Sequence, residues 1–238
     1  DQKVHRALLA VGAAHPYDPV RTYLEGLVHD GTERLDAWLS EYLGAERTPF
    51  NCAVGAAWLI SAVARTYEPG CQADYILILE GVQGIGKSSC LGALAGPAWF
   101  RDGLSDIGSK DSMQELHGPW VVELSELDAM RGAKISRMKA FVSRRVDDFR
   151  APYGRSTQPH PRRCVFAGTT NDKEYLQDET GNRRYWPVTC ATHGAVDVPR
   201  LAVDRDQLWA EAVARYRAGQ PWYLEGALLQ RDAEEAQA

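Results

Sequence analysis

The sequence predicts an α/β fold in which a mostly parallel, five-stranded sheet with a P-loop core follows a small helical N-terminal domain. Three features carry this. Up to about residue 70, apolar residues recur at helical spacing. Beyond it, short runs rich in β-branched and aromatic residues take over, beginning with "DYILILE", Asp74 to Glu80. The glycine-rich stretch "EGVQGIGKSS" then joins that first run to a small-residue helix. We divide the chain into a helical domain at 1–70, a sheet domain at 71–224 that includes a C-terminal helix, and a polar tail at 225–238.

Asp18 before Pro19 offers an N-cap acceptor followed by a residue with no N–H to lose. Val20, Tyr23, Leu24, Leu27 and Val28 continue at helical spacing behind it. The second helix carries Leu35, Trp38, Leu39, Tyr42 and Leu43 on one face and stops at Gly44; the third runs from about Asn51 to Glu68–Gly70. Further strands are expected at 98–100, 120–125, 164–169 and 184–188. Ser112 with Glu115 three residues on reads as a capping box opening a short helix. Leu208, Trp209, Ala212, Val213 and Tyr216 mark a last amphipathic helix, ended by Gly219 and Pro221.

With 45% hydrophobic and 25% charged residues, 238 residues can bury a large core, which sets disordered classes aside. The longest apolar runs fall short of the roughly 18 residues of a membrane span, and no signal peptide opens the chain, so a cytoplasmic location without membrane partners is expected. Five cysteines stand singly, without zinc-ligand spacing, and read as buried free thiols. The chain opens at Asp1 without a methionine. We expect a piece of something longer, with a primase-like or other domain upstream.

Gly81-Val82-Gln83-Gly84-Ile85-Gly86-Lys87-Ser88 matches GxxxxGK[ST] in full, between a predicted strand and a helix. Glycines there let backbone N–H groups turn inward at phosphate oxygens, and the helix N-terminus adds partial positive charge. Residues 81 to 88, with Ser89, are the candidate ATP site; Lys87 would reach the β and γ phosphates and Ser88 would ligate Mg²⁺. A dinucleotide site fits less well, since the glycines run GxxGxG.

A phosphate loop serves many chemistries, so the later strands must discriminate. "WVVELSELDAM" ends an apolar strand in carboxylates. Glu123 and Glu126 fall on different sides of an alternating strand, and Glu126, nearer the C-terminal tip, is favoured as the catalytic carboxylate. Glu123 either assists the metal or pairs with a cation inside the fold. "AGTTN" ends the next long strand, and Asn171 there is read as orienting the attacking water rather than as a turn residue.

Taken together, "GVQGIGKSS", "WVVELSELDAM", "RAPYGR", "RRCVFAGTTN" and "TGNRRYWPV", with "DPVRTYLEGLVHDGTERLDAWL" upstream, resemble the virulence-associated protein E family of phages and genomic islands. That family is related to superfamily 3 helicases and to the ATPase half of phage and plasmid primase-helicases. The resemblance runs from about Asp18 to Leu224. It implies an AAA+-like core, ATP hydrolysis with Mg²⁺, assembly into a homo-oligomeric ring, a hexamer, and action on single-stranded or replication-fork DNA. One departure stands out: where such helicases often carry paired acids, Ser125 precedes Glu126.

Between the acidic and Asn-tipped strands, superfamily 3 proteins place a hairpin that tracks single-stranded DNA. From Arg131 to Arg163 this chain has ten basic residues against two acids, in a molecule of net charge −5. Cations for phosphates and rings for bases suit single-strand binding. Phe149 and Tyr153 supply the rings, and Lys139, Arg150, Tyr153 and Arg155 are the candidate contacts. A solvated basic loop is the plainer alternative.

Arg183 and Arg184 follow the Asn-tipped strand, where ring ATPases present an arginine to the neighbouring subunit's nucleotide. Only one of two adjacent residues can point outward. Arg183, nearer the turn, is favoured, with Arg184 structural and paired with Asp178 or Glu179. Two rival classes remain: an ATP-controlled DNA-binding accessory module without productive helicase activity, and a small-molecule kinase.

Overall fold

The computed structural model describes Val4 and residues 17–124, 133–150, 156–171 and 184–225. Helices α1 (Pro19–Glu25), α2 (Trp38–Leu43) and α3 (Pro49–Tyr67) come first. They are followed by β1 (Ile76–Glu80), α4 (Lys87–Ala95), β2 (Phe100–Asp102), α5 (Lys110–Glu115) and β3 (Val121–Leu124). Next come α6 (Ala133–Val142), β4 (Val146–Phe149), β5 (Gln158–Pro161), β6 (Val165–Thr170), β7 (Tyr185–Thr189) and α7 (Val198–Arg217). Five strands form one sheet in the order β2-β3-β6-β1-β7, and every neighbouring pair is parallel. The α/β architecture read from the sequence holds.

Strand alternation divides the core in two. Leu77, Leu79, Val121, Val165, Ala167, Trp186 and Val188 face α3, α4 and α7, while Ile76, Ile78, Val122, Leu124 and Phe166 face Met138, Phe141 and Val142 of α6. Residues before 70 share the first of these cores with the sheet. Trp58 of α3 donates its Nε1–H to the Phe166 carbonyl at 2.8 Å, and Trp120 donates to the Ala62 carbonyl at 2.9 Å. Each buries a large ring while satisfying its one donor.

Local signals held unevenly. Asp18 caps α1 through the Arg21 N–H as expected, and Gly44 ends α2 at φ 63°. Helix α1 stops at Glu25, however, leaving Val28 80% exposed rather than on an apolar face. The second helix begins at Trp38, with Leu35 buried in the turn before it. The expected capping box is also displaced. Ser109 is the N-cap of α5, accepting from Ser112 N–H, while Ser112 is buried inside the helix and its hydroxyl donates to the Ser109 carbonyl. The strand expected at 98–100 begins at Phe100.

Strands β4 and β5 form a separate antiparallel hairpin. Tyr153 and Arg155, which fall between these strands in sequence, lie outside the described residues. Of the basic window, several members serve the fold. Arg162 grips Asp147 with two bonds, Nε to Oδ2 at 2.6 Å and Nη2 to Oδ1 at 2.8 Å, and lies over the Phe141 ring at 4.5 Å. Arg163 pairs with Asp18, and Arg145 donates to the Gly70 carbonyl. Phe149 is only 5% exposed and stacks on His160, so it is part of the hairpin base rather than a free platform for bases. No described helix is long and apolar enough to cross a membrane.

Candidate functional site

Parallel strands put all their C-terminal ends on one edge, and connections reverse there between β1 and β6: the chain leaves β1 toward β2 on one side and β6 toward β7 on the other. Such a crevice is where open α/β sheets bind ligands. The stretch Gly81–Gly86 occupies it, with Gly84 and Gly86 at φ 84° and 100°, a region costly for any residue with a Cβ. Gly81 N–H donates to the Thr170 carbonyl, fixing the start of the loop to β6.

Lys87, 7% exposed, is the first residue of α4 and turns its ammonium back into the loop. Nζ donates to the Gly81 carbonyl at 2.6 Å, the Val82 carbonyl at 3.0 Å and Oδ1 of Asn171 at 3.2 Å. Asn171 is exposed at the tip of β6, the strand between β1 and β3. Ser88, one residue on, donates to Oε1 of Glu123 at 2.7 Å, and Thr169 donates to the same oxygen at 2.6 Å. Glu123 is 1% exposed, and its Oε2 is buried without a hydrogen-bond partner among the described residues.

Alternation explains these meetings. Glu123 lies on the Val121 side of β3, Thr169 on the Val165 and Ala167 side of β6, and both sides face α4, which presents Ser88. Thus Lys87, Ser88, Glu123 and Asn171 are brought together. Around them Val82 is 70% exposed, Gln83 and Ser89 are exposed, and Ile85 is half-buried against the core. Two buried thiols back the loop, Cys90 on α4 and Cys190 after β7; burial pushes each up to about 12. Glu126 lies outside the described residues.

Arg184 is elsewhere. Tyr185 pairs in register with Ile76, so Arg184 sits at the N-terminal edge of the sheet, roughly 16 Å of strand from the loop. Its Nε donates to the Ser143 hydroxyl at 2.8 Å and lies 3.7 Å from the Asp74 carboxylate. Arg183, Asp178 and Glu179 fall outside the described residues. Lys139 stands over the Tyr185 ring at 5.9 Å, whereas Arg150 is exposed beyond β4, its carbonyl accepting from Gln114. The structure therefore places Lys139 against β7 and Arg150 by α5. Asp74 and Ser143 were not singled out by sequence reasoning, because their proximity to Arg184 depends on the β1–β7 register and on the docking of α6. Thr169 as a partner of Glu123 becomes legible only once β3 and β6 are known to be neighbours.

A family model described as the virulence-associated protein E-like domain matches residues 24–238. Among solved structures, the apo C-terminal region of NrS-1 superposes with a TM-score of 0.62 at 14% identity, covering 90% of this chain and 54% of that one. Its A form gives a TM-score of 0.58 at 13% identity with the same coverages. This chain thus spans about half the length of those structures, and the likeness is one of fold. No curated protein matches the chain.

Proposed function

This chain belongs to the virulence-associated protein E-like family, and on that premise we propose that it is an Mg²⁺-dependent ATP hydrolase of superfamily 3 helicase type. In this reading an AAA+-like phosphate-loop core assembles into a ring, a hexamer, that translocates on or unwinds DNA during replication of a phage or other mobile element. The observation carrying it is the convergence of Lys87 and Ser88 with Asn171 and Glu123 at the C-terminal edge of β1, β6 and β3.

Each side chain has a task that its contacts support. The Lys87 ammonium is held by two loop carbonyls, and a phosphate oxygen, being anionic, is the stronger acceptor for it. Asn171 gives its carbonyl oxygen to Lys87, which leaves its amide N–H groups to meet a γ-phosphate oxygen or the attacking water. Glu126 is the residue assigned to polarise that water.

The residues present fit Mg²⁺. Glu123 is a buried carboxylate with one oxygen unserved among the described residues, and the hydroxyls of Ser88 and Thr169 donate to its other oxygen. No trio of His, Cys, Asp or Glu side chains gathers among the described residues. Mg²⁺ is usually held by one or two protein oxygens together with water and substrate phosphates. Ser88 and Glu123 would hold it, joined by Glu126, and when bound it would neutralise charge on the β and γ phosphates.

Arg184 is committed to Ser143 and Asp74 of its own chain, which supports Arg183 as the arginine offered to a neighbouring subunit. Lys139, Arg150, Tyr153 and Arg155 remain the proposed DNA contacts. The test is ATP turnover per chain against protein concentration, with and without single-stranded DNA. A rate that rises with both, and is abolished by Lys87→Ala, is expected. Turnover indifferent to both, or retained in Lys87→Ala, overturns the ring-motor reading.

A further inference from the structure

The edge of the sheet opposite the Gly81–Ser88 loop carries a cleft of about 460 Å³, within the roughly 300–1,000 Å³ of small-ligand pockets. It lies between the connection leading into β3, the start of α1 and the base of the β4–β5 hairpin. Aromatic rings line one part. Phe149 and His160 stack with centroids 4.0 Å apart at 18°, and the His117 ring stands edge-on to them at 6.3 and 5.3 Å. Tyr17, 76% exposed, also lines it.

The charged residues of the lining cancel in pairs, Asp147 with Arg162 and Asp18 with Arg163. Neither an anionic nor a cationic guest would meet an unpaired opposite charge among these described lining residues. Either would lose hydration without compensation. His117 is exposed, and its ring nitrogens enter no hydrogen bond among the described residues. Burial, then the neighbouring His160 and Arg163, lower its pKa, so the imidazole keeps one donor and one acceptor near neutrality. Either nitrogen, one as donor and the other as acceptor, can meet a single polar group on a base edge.

We propose that this cleft is a second binding site, which takes an uncharged nucleobase ring beside the exposed Tyr17 ring, over the Phe149–His160 stack that floors the cleft, and hydrogen-bonded to one nitrogen of the His117 imidazole. The base can come from a free nucleoside or from an unpaired position in a single strand. Because the cleft and the Lys87 loop lie at opposite edges of the sheet, the site does not depend on the hydrolytic reading of that loop.

The test follows histidine ring resonances of the full chain by NMR while adenosine, thymidine, adenosine monophosphate or an oligothymidylate is added. Saturable shifts of His117 and His160, with His29 and His193 unmoved, are expected for a nucleoside or for the oligonucleotide. The first outcome identifies a free-nucleoside site and the second a subsite for an unpaired base. His117→Ala should weaken binding at least tenfold and His117→Gln less, with ATP turnover unchanged in both and thermal melts confirming the fold. Absence of shifts with every probe overturns the proposal. So does monophosphate binding tenfold tighter than adenosine, or unaltered binding in both variants.

Discussion

The hydroxyl of Ser88 donates to Oε1 of Glu123 across 2.7 Å, tying the first turn of α4 to the third strand of the sheet. The other carboxylate oxygen is buried and has no hydrogen-bond partner among the described residues. A buried polar oxygen so placed is costly unless a partner joins it. Glu123→Gln keeps the shape and removes the charge, so the fold should persist with a melting temperature near the parent's. ATP hydrolysis should fall about 10–100-fold, the usual loss when a group supporting a metal is removed. Thermal melts beside Mg²⁺-titrated turnover check this; a collapsed melt with a proportionate loss of activity would assign Glu123 to the fold alone.

The Arg162–Asp147 pair anchors the hairpin by a bidentate contact whose side chains are 1% and 3% exposed. Removing one partner strands the other charge, and such losses run to about 3–5 kcal/mol. Arg162→Met should therefore cost about that much in urea unfolding. The double variant with Asp147→Leu should recover most of it, since no buried charge is left. Equal losses in the single and double variants would show that the contacts of Arg162 with Phe141 and Phe166 dominate instead.

How much of this was legible in the sequence follows the range of each interaction. The Asp18–Pro19 helix start, the apolar strand at Ile76–Glu80 and the GxxxxGKS stretch are local, and each was read in place. Alternation separates Glu123 from Glu126, but not which side α4 covers, because that depends on helix docking. The basic run misled in part for a similar reason. Arg145, Arg162 and Arg163 look alike in sequence to cations on a nucleic-acid surface, yet their partners Gly70, Asp147 and Asp18 arrive through the fold. Ser112 shows that even a local cap pattern yields when a serine three residues earlier can cap and the later one can be buried.

Arg184 and Arg183 can be separated by mixing subunits. Arg184→Ala loses a hydrogen bond to Ser143 and a longer ion pair to Asp74, together worth about 1–2 kcal/mol of stability. Arg183→Ala should abolish turnover. Combined with Lys87→Ala chains, it should regain part of the rate, since a mixed ring contains some sites with both the lysine and the neighbour's arginine. Rescue by Arg184→Ala chains but not by Arg183→Ala chains would reverse the assignment.

His117 gives the fold a pH dependence of definite sign. Burial, then His160 and Arg163, lower its pKa from the usual 6.5. Below that value the unfolded chain holds a proton that the native site resists, so unfolding takes up protons and native stability falls as pH drops. The contribution is fully present above about 6.5, the unfolded value. It is lost progressively as pH falls from there through the lower native value. Urea midpoints measured from pH 7.5 to 5 should therefore decline, and part of the decline should vanish in His117→Gln, which keeps a polar side chain but cannot titrate. Because His117 meets Phe149 and His160 at the hairpin base, tryptic cleavage within the hairpin should also quicken at the acid end in the parent and change less in the variant. A midpoint profile identical in the two proteins would place the pH dependence in other groups.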